Sequence, residues 1–142
     1  MKFIVYGDPV AQGRPRFSTA GGFARAYDPA KSRDYKDYIR LAAAEQMRGN
    51  PPFEGPLALS VRVFRPTPKQ FSNKKAGIAE QMHIRPTTKP DLDNYVKCIK
   101  DALKSVCWHD DSQVVAYTEP FGKYYSVTPR IEIEITEIDS KI

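Results

Sequence analysis

The chain has 142 residues, 41% hydrophobic and 27% charged, with a formal net charge of +5. That size suits one domain around one core and excludes wholesale disorder, and no apolar run approaches the roughly 20 residues of a membrane span. The cationic surplus fits a polyanionic partner without identifying it.

The two cysteines, Cys98 and Cys107, fall within or at the end of one helical stretch. At about 1.5 Å of rise per residue they stand roughly 13 Å apart, beyond the reach of a disulfide. No CxxC spacing supports zinc, so both read as reduced thiols of a cytoplasmic protein. Residues 2–6 are too short for the apolar region of a signal peptide.

In chain order, residues 2–6 alternate Phe3 and Val5 against Ile4 and Tyr6 and form a first strand. Gly7-Asp8-Pro9 ends it. Gly13-Arg14-Pro15-Arg16 is stiff and basic because Pro15 fixes its own φ between two arginines. Arg14 and Arg16 are candidate phosphate contacts, with a solvated turn as the plainer alternative. Gly21-Gly22 closes a hairpin between 17–19 and 23–27. Over 30–48, Tyr35, Tyr38, Ile39, Ala42, Ala43 and Met47 recur at helical spacing and read as core. Ser32 is a candidate N-cap, and Gly49-Asn50-Pro51-Pro52 is the stop. Residues 57–64 make a second strand with Leu57, Leu59, Val61 and Val63 on one face.

Residues 65–90 form a long connection of different character. Ser72 can cap a short helix over 73–81, which Gly77 weakens. Arg65, Lys69, Lys74, Lys75, Arg85 and Lys89 lie along it, and Glu80 alone opposes them before Asp91. A basic run leading into an acidic stretch suits a grip on a DNA backbone; a solvated flap is the alternative. The lone His83 carries no assigned role. Helix returns over 94–106, where Leu92, Val96, Ile99, Leu103 and Val106 mark the buried stripe. Lys97 and Asp101 lie off that stripe and can pair across one turn. Trp108 reads as a core or interface aromatic and His109 as a surface histidine. Residues 113–118 read as a strand, Phe121-Gly122-Lys123 as a turn and 124–127 as a short return. Residues 130–138 are the clearest strand, with Ile131, Ile133 and Ile135 alternating against polar neighbours.

The chemistry concentrates in Lys89-Pro90-Asp91-Leu92-Asp93-Asn94, with Lys97 following, and in Trp108-His109-Asp110-Asp111-Ser112-Gln113. Pro90 favours extended backbone before it, and residues i and i+2 of extended chain point the same way, so Asp91 and Asp93 are expected on one side. A helix starting at Asn94 puts Asp93 at a cap position. A cap explains one acid without any metal and leaves Asp91, Asp110 and Asp111 without a role. The intervening helix can return the second acidic pair to the first. Clustered carboxylates repel one another unless a cation lies among them, and an oxygen-only ligand set suits Mg²⁺. No His/Cys set competes for a transition metal. Such an ion polarises a phosphodiester, and Lys97, one turn beyond Asp93, is placed to neutralise charge growing on the phosphorus.

These two stretches together resemble the core signature of the RusA-family Holliday-junction resolvases, with the match strongest over 89–115. The basic connection and the closing Ile131-Glu132-Ile133-Glu134 strand are similar too. The resemblance implies an α+β fold, here a mixed β-sheet packed by two main helices in a single domain over 1–142, assembled as a two-fold homodimer. It implies Mg²⁺-dependent cutting of four-way or branched DNA. The family's essential carboxylates fall on Asp91, Asp93 and Asp111 and its essential lysine on Lys97; Asp110 is the neighbouring acid. Arg14, Arg16, Lys69, Lys74, Lys75, Arg85 and Lys89 are the cations expected on DNA. Some members carry Arg before the first Asp, where this chain has Pro90 with Lys89 behind it. The alternatives are a nuclease with broader flap or branched substrates, and a non-catalytic branched-DNA-binding module.

Overall fold

A computed structural model describes residues 1–22 and 24–139, with the side chains of Arg16, Ala20, Arg25 and Tyr27 outside that description. The sheet is built on β4 (Leu57–Pro66), whose inward residues Leu57, Leu59, Val61 and Val63 are fully buried. β7 (Arg130–Glu137) pairs antiparallel along one side of β4, and β1 (Lys2–Tyr6) pairs antiparallel with β7. On the other side of β4, two strands run parallel to it. β5 (Val114–Tyr117) lies along its first half and β6 (Gly122–Ser126) along its second. The result is a five-stranded mixed sheet.

Two helices cover one face of this sheet. α1 (Ala30–Met47) and α3 (Leu92–Leu103) close a core made with Phe3, Val5, Ile131, Ile133 and Ile135. The strands supply it by alternation, as their sequences predict. On the opposite face, Glu132 meets Arg62 and Arg130, and the Arg130 guanidinium lies 3.9 Å from the centre of the Phe64 ring. A separate hairpin of β2 (Arg16–Ser18) and β3 (Arg25–Tyr27) carries the Gly21-Gly22 turn, where both glycines have positive φ. The short helix α2 (Asn73–Glu80) starts where expected, with the Ser72 side chain accepting from the Lys75 N–H.

Several local expectations are corrected. Ser32 does not cap α1: Pro29 holds the N-cap position, and the Ser32 hydroxyl donates to the Pro29 carbonyl from inside the helix. The buried face of α1 runs through Ser32, Lys36, Ile39, Ala43 and Met47, while Tyr38 is exposed. Phe121-Gly122-Lys123 is not a turn and 124–127 are not a return: β5 and β6 run the same way along β4, joined through Thr118–Phe121 with its cis Glu119–Pro120 bond, and Gly122 opens β6. The end of the Arg85 side chain occupies the space that a Cβ at Gly122 would take. None of the described helices is long and apolar enough to cross a membrane.

Cys98 and Cys107 are both free and buried, as the spacing argument requires. Burial pushes the Cys98 thiol up to about 11 and the Cys107 thiol up to about 12. Neither is a thiolate at neutral pH, so neither is nucleophilic in the fold. We expect no reaction of the native protein with an aromatic disulfide reagent at pH 8, and release of two thiols on addition of urea. Fast labelling of the native protein would contradict the burial.

Candidate active site

The start of α3 is held from below by two sheet residues. The Lys123 ammonium donates to the carbonyls of Thr88 and Pro90, at 3.1 Å each. Arg65 donates to the Thr88 carbonyl at 3.0 Å and to its hydroxyl at 3.3 Å. These contacts fix the chain on either side of Lys89, whose bond to Pro90 is cis, and so fix where Asp91 begins the helix. The helix starts at Leu92, earlier than expected, with Asp91 at the N-cap position. The Asp91 side chain makes no capping hydrogen bond, and Asp93 lies inside the first turn, where a negative charge suits the helix dipole. Asp93 is therefore not the cap. Nor do the two acids share a face as extended chain would have them: around a helix, residues two apart point in widely different directions.

The second acidic stretch is equally well anchored. Trp108 is fully buried and its indole N–H donates to Oδ1 of Asp111 at 2.9 Å. That leaves the other oxygen of Asp111 without a protein partner among the described residues. Gln113 ties the turn to the body: its amide donates to the carbonyls of Phe53 and Gly55, and its oxygen accepts from the N–H groups of His109 and Asp110. Asp110 accepts from the Ser112 N–H and caps the 3₁₀ turn Asp111–Gln113. That backbone bond holds its carboxyl below the usual carboxylate range.

The two stretches meet at an open cleft of about 450 Å³. Asp93, Lys97, Lys100 and Asp111 form its polar wall; Leu92, Val96, Tyr117 and Phe121 form its apolar wall. Asp93, Lys97 and Lys100 share one side of α3 because they are spaced by four and three residues. The fold thus brings three of the sequence-derived catalytic residues, Asp93, Lys97 and Asp111, onto one surface. Asp91 and Asp110 do not line it.

An adjoining hollow of about 310 Å³ shares Lys97 and Asp111 with this cleft and is completed by Gln12, Asp28, Lys36 and Asp101. Lys36 is only 2% exposed. Its ammonium bonds Asp28 at 2.6 Å and Asp101 at 2.7 Å, and Gln12 donates to the other Asp28 oxygen at 2.8 Å. Asp101 is therefore not the partner of Lys97, as helical spacing alone suggests; Lys36 takes it. Among the described residues Lys97 forms no ion pair. Lys36, Trp108, Gln113 and Lys123 are supporting residues that the motif search did not single out for this work. For Lys36 the signal was present: it stands three before Ile39 and seven before Ala43, on the buried stripe.

The basic residues divide into two groups. Lys69, Lys74, Lys89 and Arg14 are exposed. Lys75 is exposed too, with its ammonium 4.3 Å from the Phe71 ring centre. Arg85 is also exposed but is engaged, donating to the Lys123 carbonyl at 2.9 Å with its guanidinium 4.2 Å from the Tyr124 ring centre. The side chain of Arg16 lies outside the described residues. The connection is not a loose flap: Glu80 accepts from the Ser126 hydroxyl at 2.9 Å and from the Val127 N–H at 2.8 Å, fastening α2 to the end of β6.

Among the described residues, no three His, Cys, Asp or Glu side chains converge as a ready-made metal-ligand group. Mg²⁺ does not require one, since it commonly binds through one or two carboxylates, retained waters and substrate phosphate. Asp93 and the free oxygen of Asp111 fit that donor set.

The family model described as "Endodeoxyribonuclease RusA" matches residues 6–136 of the chain. A Bacillus subtilis (strain 168) protein, "Uncharacterized protein YqaN", is 49% identical over 142 residues, covering 99% of this chain and 98% of the relative.

The Lys36 cluster has a definite pH signature. Burial alone pushes the Lys36 ammonium down, but its bonds to Asp101 and Asp28 outweigh that and hold it above its ordinary value. The Lys36 hydrogen bond holds Asp28 below the usual carboxylate range. A depressed carboxylate stabilises the fold above the unfolded value of about 3.9, and this is lost as pH falls through the lower folded value. A raised lysine stabilises below about 10.4, and this is lost as pH rises through the higher folded value. Removing one partner of a buried pair costs about 3–5 kcal/mol. Because Asp28 and Asp101 keep 34% and 50% exposure, about 2–3 kcal/mol is expected for Lys36→Met. Urea unfolding across pH should show that loss as a plateau between about pH 5 and pH 10, shrinking toward both ends. A pH-independent loss would mean that the cluster acts by packing alone.

Proposed function

The chain belongs to the RusA family of endodeoxyribonucleases, and on that basis we propose that it resolves four-way DNA junctions by Mg²⁺-dependent hydrolysis of paired backbone phosphates. The observation that carries this reading is the meeting of Asp93, Lys97 and Asp111 on one open cleft.

In this reading Asp93 and Asp111 would hold the ion, with Asp91 next to them at the helix start. When bound, Mg²⁺ supplies Lewis acidity and charge neutralisation at the scissile phosphate. The remaining work belongs to the chain. Trp108 orients Asp111 through one oxygen and reserves the other for the cleft. Lys97, free of any protein carboxylate among the described residues, donates to a non-bridging phosphate oxygen and stabilises the charge that develops there. Lys123 and Arg65 keep the Asp91 end of the site in place during the reaction. The exposed cations Arg14, Lys69, Lys74, Lys75 and Lys89 grip the flanking backbone, a contact whose strength falls steeply with salt. Two matched nicks require two equivalent sites, which a two-fold homodimer provides.

The test is nicking of a labelled four-way junction beside linear duplex of the same sequence, in Mg²⁺ or in EDTA. Paired cuts near the branch point are expected in Mg²⁺ only. They should vanish with Asp93→Asn and slow by about 10²–10³-fold with Lys97→Met. Equal cutting of flaps, nicked duplex and junctions would replace the resolvase with a broader branched-DNA nuclease. Tight junction binding with no cutting in any metal would leave a binding module.

A further inference from the structure

Hydrolysing a phosphate needs charge and metal ligands. It does not need a carbon wall. Yet half of this cleft is carbon: Leu92 and Val96 from α3 on one side, Tyr117 and Phe121 from the sheet edge on the other. The two aromatic rings pack against each other, 4.8 Å apart and tilted by 30°. Tyr117 is 53% exposed, so part of its ring is open to solvent. Its hydroxyl accepts from Lys100 at 3.1 Å, and the Lys100 ammonium also stands 5.5 Å from the ring centre. That bond fixes the ring and places a cation at the rim of the cleft.

We propose that this apolar wall is a nucleobase subsite, on which one unstacked base flanking the scissile phosphate lies against Tyr117 and Phe121. The proposal rests on the nuclease reading above and names what the second half of its cleft recognises. A nucleotide matches both halves at once. Its base offers a flat apolar face to the rings, and its phosphates meet Lys97 and Lys100. A volume of about 450 Å³ is ample for one nucleotide. Apolar side chains of a second copy are a poorer match, because seating them would strip water from Asp93, Lys97, Lys100 and Asp111 without pairing them. Stacking on an aromatic ring tolerates any base, and the base must leave its own stack to reach it. Base pairs at a branch point unstack more readily than those of continuous duplex, so the subsite favours branched DNA.

The experiment is a cycle between the ring and the base. The cut position is first mapped with the wild-type protein in Mg²⁺. Binding is then measured by fluorescence anisotropy in Ca²⁺, using the intact junction and junctions carrying an abasic analogue at either nucleotide flanking the cut. Tyr117→Ala should weaken binding of the intact junction by roughly 10- to 100-fold. It should change binding little for the junction lacking the stacked base, and Tyr117→Phe should retain most of the affinity. Phe121→Leu provides a second probe of the same surface, and a thermal melt of each variant establishes that it folds. Equal weakening of intact and abasic junctions would overturn the proposal. So would loss of a dimer on size-exclusion chromatography with no coupling to the base, because the wall would then belong to a second copy. A wild-type protein that neither binds nor cuts the junction would remove the nuclease reading itself, an outcome separate from both.

Discussion

A single ammonium group holds the working parts of this protein together. Lys36 lies on the buried face of the first helix with almost no access to water, and its charge is tolerable only because Asp28 and Asp101 bracket it. Asp28 belongs to the segment after the hairpin, Lys36 to α1 and Asp101 to α3. Gln12, from the segment before the hairpin, joins through Asp28. The cluster thus ties both ends of the small hairpin to the two main helices. It also settles a competition on α3: Asp101 is claimed by the buried Lys36 and does not pair with Lys97 one turn before it, so Lys97 is left free of Asp101.

The same logic of occupied partners runs along the basic connection. Read as a string of charges, 65–90 looks like a uniform grip. In the fold, Arg65 and Arg85 are spent on the protein's own backbone and rings, and Glu80 anchors the short helix to β6. The cations left without such partners are a subset, and they are set on a fastened strap that leads to the N-cap of α3.

Much of this was legible in the residues. The alternation in β4 and β7 fixes which side chains enter the core, and the four-residue step from Asp93 to Lys97 puts both on one helical side. Trp108, read as a core aromatic, is fully buried and turns out also to orient Asp111. What was not legible depends on distant chain. Lys36 stands on the buried stripe of α1, but the two acids that make its burial tolerable come from elsewhere in the sequence. Gly122 reads as a turn until Arg85 is seen to occupy the space of its missing side chain. The Asp91–Asp93 pair misled for a local reason: alternation holds for extended chain, and the helix begins between them.

The two edge strands beside β4 have a consequence for how the site keeps its dimensions. β5 lies along the first half of β4 and follows directly from the turn holding Asp111; β6 lies along the second half and carries the Lys123 that pins Pro90. One strand therefore acts as a ruler, with the two jaws of the cleft mounted at different marks along it. The gap between the jaws is set by strand register, which moves in steps of about 3.3 Å per residue and reverses facing at each odd step. An inserted or deleted residue in the middle of β4 would leave every acidic residue intact and still spoil the instrument, because the jaws would no longer close on the same object.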